Sequence, residues 1–323
     1  MRLTDNMITG NYLKNLNRNM RDLSDLNTKV AAGRKYIKMS ENPASAVKAF
    51  DVRRDLRRID LYASTLGDSQ ALLDEAETSL SSISETASNA LTQITQGLNG
   101  TLAEPDRQAV ANTLRSYQQM ILGAANVKAS GRFVFGGSGF GSTPFTLSAS
   151  GKLSYNGTDV DSGPFPAEHR YVDIGIGLTV SGGGAVSAQT ALDVAYSGAE
   201  LLGTGVDASG LPNNLYNLIG EIADKIEAND LTNIADYTAK LEDRSDDMRM
   251  QYVAIGEKSN YISFFTDRLY GEKITATSKQ TELEGLSIEE GAILFAEQEN
   301  MYSACLQMGT KLLQPSLLDY LST

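Results

Sequence analysis

Tryptophan is absent from the 323 residues, and cysteine and histidine each occur once. No apolar run comes near the ~20 residues that a membrane-spanning helix needs, so insertion into a bilayer is not expected. A single cysteine, Cys305, excludes an intramolecular disulfide framework and any cysteine-rich metal site. It lies on an apolar helical stripe, where a small core residue is the expected reading rather than a nucleophile. The lone His169 excludes metal sites that require two imidazoles. No cofactor and no metal are therefore anticipated. Aromatic residues make up 7% of the chain, which suits narrow helical seams built from Leu, Ile and Ala. The net charge of −12 argues against nucleic acid as the main partner. Met1 to Met7 contain no apolar h-region, so a cleaved secretory leader is not expected.

Against these absences stand two long heptad seams. The first runs through Leu56, Ile59, Ala63, Leu66, Gln70, Leu73, Glu77, Leu80, Ser84, Ala87, Leu91, Ile94 and Leu98. Its steps alternate strictly between three and four residues, the register of a helix that buries one narrow stripe. The second runs from Ile234 through Leu241, Met248, Tyr252, Ile255 and Ile262 to Leu269. The expected fold is mainly α with a small β insertion. Its two halves form an elongated antiparallel helical bundle, with Leu66, Leu73, Leu80 and Leu91 buried between the long helices.

Proline removes a backbone donor and clashes with the preceding helical turn, so the seven prolines read as punctuation. Pro43 and Pro105 open helices, Asn99-Gly100 closes one, and Asn229-Asp230 closes the segment that begins after Pro212. Residues 131–211 hold 17 of the 29 glycines. β-type runs occur there at 132–135 and 171–174, and Asn156-Gly157 is a hairpin turn signal, since both residues tolerate positive φ. These breaks divide the chain into an N-terminal assembly helix (1–38) that pairs with a C-terminal one (286–323), two rod halves (39–130 and 212–285), and a β-rich insertion (131–211).

The chain ends carry heptads of their own: Leu13, Leu16, Met20, Leu23, Asn27 and Val30 at one end, and Leu294, Gln298, Met301, Cys305, Met308 and Leu312 at the other. A parallel stripe of Phe295, Tyr302, Leu306 and Leu313 runs beside the second. Short isolated helices are marginal in water, so these ends are expected to be loosely held until they meet each other or a neighbouring subunit. Leu317 and Leu318 extend the same apolar surface. Residues 1–60 carry 13 Lys/Arg against 7 Asp/Glu, although the whole chain is acidic. Arg53, Arg54, Arg57 and Arg58 form i,i+4 like-charge pairs on one helix, offset in part by Asp51, Asp55 and Asp60. An acidic neighbour is expected for them. Asp243, Asp246 and Asp247 are the candidates within the chain; Glu282, Glu284, Glu289 and Glu290 are the candidates across subunits.

Signals for chemistry are weak. Gly136-Gly137-Ser138-Gly139-Phe140-Gly141 lacks the Lys-Ser/Thr of a phosphate loop and the spacing of a dinucleotide fingerprint. Asp159-Val160-Asp161-Ser162-Gly163 is a fragment of a calcium loop without its closing Glu. His169 in a Gly/Pro-rich stretch reads as a surface residue, and no enzymatic activity is expected.

With this order in view, particular residues resemble the flagellin-like axial proteins of bacteria. The start Met1-Arg2-Leu3-Thr4 through Met7 is similar to that family's, as is Val30-Ala31-Ala32-Gly33-Arg34-Lys35 followed by Ser40-Glu41-Asn42-Pro43-Ala44-Ser45-Ala46. Asn42 stands where the family usually has Asp, and either residue caps a helix before proline. Gly131-Arg132-Phe133-Val134-Phe135-Gly136-Gly137, Pro144-Phe145 and Leu317-Leu318-Asp319-Tyr320-Leu321 resemble the members at the hook–filament junction rather than filament flagellins. Residues 150–210 carry no such signature. The resemblance implies export by the flagellar type III route with a chaperone, and an extracellular place in the flagellum. It also implies homo-assembly, with contacts to the first hook-associated protein and to flagellin. The subunit interface expected from it comprises Leu13, Leu16, Met20, Leu23, Arg53, Arg54, Arg57, Arg58, Met301, Cys305, Met308, Leu312, Leu317 and Leu318. A filament flagellin and a secreted ligand-binding protein on a coiled-coil stalk are the alternative readings.

Overall fold

The computed structural model describes residues 2–98, 102–139, 141–148, 151–163, 165–187 and 189–321, without the side chains of 2–6 and 312–321. Asn99, Gly100, Phe140 and Pro164 lie outside the described residues. The chain divides into two compact units, residues 1–59 with 271–323 and residues 60–270. In order, helices α1 (Arg2–Ala32), α2 (Pro43–Gly97) and α3 (Glu104–Ala125) come first. The short strands β1 (Lys128–Ala129), β2 (Arg132–Phe133), β3 (Phe145–Leu147), β4 (Leu153–Tyr155), β5 (Thr158–Asp159), β6 (Tyr171–Asp173) and β7 (Ala191–Asp193) follow. Helices α4 (Gly198–Leu202), α5 (Leu215–Glu227), α6 (Ile234–Glu284) and α7 (Ile288–Leu321) complete the chain.

The helix boundaries follow from local chemistry. Asn42 caps α2, its side-chain oxygen accepting the Ser45 N–H at 3.2 Å, with Pro43 at the first helical position. Gly33 closes α1 with φ +64°, its N–H bonded to Val30 O and that of Arg34 to Lys29 O, a left-handed stop that satisfies the last carbonyls. Asn229 closes α5 in the same way at φ +56°. One expectation fails here. α7 continues through Pro315, because proline forfeits a single backbone bond and a helix of 34 residues can tolerate that loss.

In the unit 60–270, α2 and α6 run antiparallel. Gln70 bonds Ser259 at 2.6 Å and Tyr252 bonds Glu77 at 2.7 Å, so a step of seven residues along one helix matches a step of seven back along the other. Beneath these polar rungs Leu66, Leu73, Leu80, Ala87 and Ile94 of α2 are buried, as are Leu241, Met248, Ile255, Ile262 and Leu269 of α6. Each buried Leu or Ile contributes about 1.5–3 kcal/mol of transfer free energy. Leu91, expected in this core, is only half-buried. It belongs to the column of Gln70, Glu77 and Ser84, which flanks the apolar one.

Besides the expected stripe, α2 buries a second, formed by Ser69, Leu72, Ala76, Ser79, Ile83, Thr86 and Ala90. At 65–72 this face meets the segments around β1, β2 and β6. At the other end Gly97 lies against Ile226 and Val110, where a Cβ would come within 3.0 Å of the Ile226 side chain. α3 and α5 pack together through Gln118, which donates to Tyr216 O at 2.8 Å across a gap kept open by Gly220. Arg115 joins them by an ion pair to Asp224 at 2.8 Å and a second to Glu227.

The β region is a set of small antiparallel pairings, β1-β2, β3-β4-β5 and β6-β7. The hairpin at Asn156-Gly157 forms as expected, with both residues at positive φ. A second tight turn, Ser130-Gly131, joins β1 to β2. The run 132–135 is strand only over its first two residues. Phe135 leaves the ladder to enter the core, where its carbonyl accepts the Gly198 N–H.

Candidate assembly interface

In the unit formed by 1–59 and 271–323, α1 and α7 pack antiparallel. Two glycines set the fit. Val30 lies against Gly291, and Tyr12 crosses Gly309 so closely that any Cβ there would overlap its ring. Between these points Gln298 donates to Asn19 O at 3.4 Å. The facing stripe on α1 is Tyr12, Leu16, Asn19, Leu23, Leu26 and Val30; on α7 it is Gly291, Phe295, Gln298, Tyr302, Cys305 and Gly309.

This corrects the heptads read from the chain ends. Leu16, Leu23, Gln298 and Cys305 face the partner helix, whereas Leu13, Met20, Met301 and Met308 lie on the flanks, 49%, 53%, 58% and 60% exposed. The glycine contacts select a frame that apolar spacing alone does not, and they place polar Asn19 in the seam. Leu312, Leu317 and Leu318 fall on α7, but their side chains lie outside the described residues. The end helices span 31 and 34 residues, inside the expected segments 1–38 and 286–323.

Among the described residues of α1 and α7, Cys305 is the one buried residue that is not glycine. Two helices that bury so little gain little from each other, since tertiary packing supplies most helix stability. Leu294 and Ile293 add to the apolar surface left on α7, at 39% and 61% exposure. No helix among the described residues is long and apolar enough to cross a membrane.

The arginine cluster separates into three situations. Arg53 donates from Nε to Glu284 at 2.8 Å, and its Nη2 contacts the same carboxylate, which is 3% exposed. Glu284, expected to reach across subunits, is thus bonded within the chain. Its carbonyl also accepts the Lys35 N–H at 2.8 Å, and Leu286 N–H reaches Gly33 O at 2.9 Å. Tyr36 is buried beside this pair; burial pushes its hydroxyl pKa up, and the Glu284 charge adds to the shift. Lys29 bonds Glu41 at 2.7 Å and holds that carboxyl below its usual range. Arg54 and Arg58 pair locally, with Asp51 at 3.2 Å and Asp55 at 3.4 Å. Arg57 is exposed and makes no ion pair among the described residues. Asp246 and Asp247, the expected internal partners, pair with Arg249 and Arg244 on their own helix.

The weak chemical signals resolve into structure. Asp159 caps a single 3-10 turn at 160–162, and Asp161 bonds Lys152 and Asn217. Gly139 N–H bonds Gly136 O in a turn rather than presenting a row of free donors. His169 is exposed and bonded to Asp193 at 2.6 Å. No cluster of three metal-ligating side chains occurs among the described residues.

The model of the bacterial flagellin N-terminal helical region matches residues 3–139. The chain is flagellin-like over that region. A comparison with curated protein sequences gives no match. Among solved structures, a flagellar hook-associated protein of Vibrio parahaemolyticus aligns with a TM-score of 0.61 and 20% identity, covering 76% of this chain and 100% of the other. FlgL of Bacillus cereus aligns at 0.51 and 17%, covering 72% and 99%. The flagellar junction protein FlgL of Legionella pneumophila aligns at 0.53 and 12%, covering 74% and 100%. The chain shares its fold with these proteins. The flagellin-like region takes in α1, the Gly33–Asn42 turn, α2 and α3, and so contains one half of the α1–α7 pair and Arg53 of the Glu284 pair.

Proposed function

We propose that the protein is a structural adaptor of the bacterial flagellum, joining the first hook-associated protein to the flagellin filament. The observation that carries this reading is the α1–α7 pair: two long helices with a thin mutual seam and apolar flanks, in a chain whose first part is flagellin-like. Leu13, Met20, Met301 and Met308 would be covered by neighbouring copies on assembly. Arg57, and Arg54 and Arg58 once released from their exposed local pairs with Asp51 and Asp55, would meet an acidic neighbour from α2; Arg53 would act indirectly by fixing the base of the pair. Leu312, Leu317 and Leu318 would extend the same surface. Residues 1–38 and 286–323 form the assembly segment and become rigid when subunits join. Export through the flagellar type III route, with a chaperone covering the ends, belongs to the same reading.

A filament flagellin is the second reading, favoured by the match to the flagellin N-terminal region. One genetic experiment separates the two. Cells lacking an adaptor should build hooks, form no filament and shed soluble flagellin. Cells lacking a filament subunit should shed none. Normal filaments in the deletion strain would overturn both.

A further inference from the structure

The two flanks of the α1–α7 pair differ in charge as well as in shape. From Met7 to Arg21, α1 carries Lys14, Arg18 and Arg21 and no carboxylate. From Ile288 to Thr310, α7 carries Glu289, Glu290, Glu297 and Glu299 and no Lys or Arg. On one flank Leu26, Leu294 and Met301 floor a groove of about 320 Å³, and its rim holds the exposed carboxylates Asp22, Asp25 and Glu297. Lys29 is the one cation on that lining, and Glu41 already holds it at 2.7 Å. The three rim carboxylates make no ion pair among the described residues. On a helix of 3.6 residues per turn, Leu13 and Met20 lie about a quarter-turn to the other side of the α7-facing stripe. They form an apolar ridge, 49% and 53% exposed. Lys14, Arg18 and Arg21 share the surface beside Met20. These cations make no ion pair among the described residues either; Arg21 only donates to Asn17 O at 3.2 Å.

We propose that this groove takes the ridge of a second copy of the chain, in a head-to-tail contact that repeats from copy to copy. Leu13 and Met20 of one copy cover Leu26, Leu294 and Met301 of the next, and the basic band meets the carboxylate rim. Because ridge and groove lie on opposite flanks, the contact is heterologous, and each copy keeps a free half for another neighbour. Two ridges or two grooves brought face to face would set like charges together, which electrostatic matching disfavours. Arg18, at the centre of the basic band, precedes Asp25 by seven residues, so the second copy is shifted by about 10 Å along the helix axis. The contact rests on the proposal that neighbouring copies cover these flanks, and adds which flank meets which.

The test mixes nitrogen-15-labelled and unlabelled full chain at about 1 mM, where even a weak contact is populated. A carbodiimide then joins amines directly to carboxylates, and mass spectrometry reads the linked peptides. Peptides with one labelled and one unlabelled half come only from contacts between copies. Lys14 should join Asp22, Asp25 or Glu297 in such hybrids. Raising salt from about 0.05 to about 0.5 M should lower their yield at least threefold, because screening weakens exposed charge pairs. Arg18→Glu combined with Arg21→Glu should lower it at least about fivefold, with helical circular dichroism unchanged. Arg249→Glu, an exposed reversal in the other unit, should leave the yield as it is. The proposal fails if Lys14 forms no hybrids, if it joins mainly carboxylates outside the groove, or if the double reversal changes nothing. Those outcomes leave the adaptor reading to the deletion strain, and normal filaments in that strain would sink the adaptor reading while leaving the hybrids in place.

Discussion

Replacing Arg53 by Gln gives the sharpest test of how the base of the α1–α7 pair is held. Arg53 is 36% exposed and Glu284 4% exposed by side chain, so the pair is half at the surface and half inside. Breaking a fully buried ion pair from one side costs about 3–5 kcal/mol, and an exposed pair contributes about 0–1 kcal/mol. A pair between these limits should cost about 1–3 kcal/mol on loss of the arginine, since the carboxylate would stay buried without its guanidinium. Glu284→Gln removes the charge that needs compensating, so the double substitution should be milder than the sum of the two. A double-mutant cycle should therefore return a favourable coupling of about 1 kcal/mol or more. The readout must be local. The Lys35 and Leu286 amides bond Glu284 O and Gly33 O, and their hydrogen exchange reports opening at this junction. Arg53→Gln should accelerate both exchanges about five- to hundredfold, by the free-energy range just given. Unchanged exchange with failed subunit association would refute the internal role and return Arg53 to the inter-subunit surface.

Three further outcomes follow from the packing. Leu73→Ala, at a position with no exposure, should destabilise the 60–270 unit by about 2.5–5 kcal/mol in urea denaturation; a loss below 1 kcal/mol would contradict the α2–α6 core. Gly309→Val should separate α1 from α7 at the Tyr12 crossing and abolish assembly while sparing the thermal transition of 60–270; normal assembly would show that the pair is not the joining element. Burial pushes the Tyr196 hydroxyl up to about 12 from an ordinary 10.0. Its folded pKa is raised, so this contribution to stability is fully present below pH 10 and is lost as pH rises from 10 toward about 12. Tyr196→Phe should flatten that alkaline slope, and an unchanged slope would remove Tyr196 as its cause.

The long helices were legible because period and punctuation agreed. Asn42-Pro43 and Asn229 marked ends that the backbone honours, and columns such as Leu66-Leu73-Leu80 marked the face that α6 covers. The second buried face of α2 was not legible, because Ser69, Ala76, Ser79, Thr86 and Ala90 are small or polar and leave no apolar period. Small residues there reflect close approach of neighbouring elements, which a pattern of hydrophobicity does not record. The end helices failed by a small rotation for a related reason. Leu13 and Met20 look more like seam residues than Tyr12 and Asn19, yet Gly291 and Gly309 let the less apolar frame come closer. Glu284 was expected across subunits rather than within the chain because 231 residues separate it from Arg53.

The two polar rungs between α2 and α6 have a consequence for how this repetitive chain finds one alignment. An apolar column that recurs every seven residues is nearly periodic, and a slip of one heptad would lay leucine over isoleucine or methionine again with small change in buried area. Gln70 and Glu77 break that translational degeneracy. After such a slip Gln70 would face Tyr252 instead of Ser259, and Glu77 would face Ser245, which is 3% exposed. A carboxylate driven into that position loses water and gains only one hydroxyl, and leaving a buried charge poorly satisfied costs several kcal/mol. Hydrophobicity therefore says that the helices meet, while a few polar residues say where, in the manner of a vernier mark on an otherwise uniform scale.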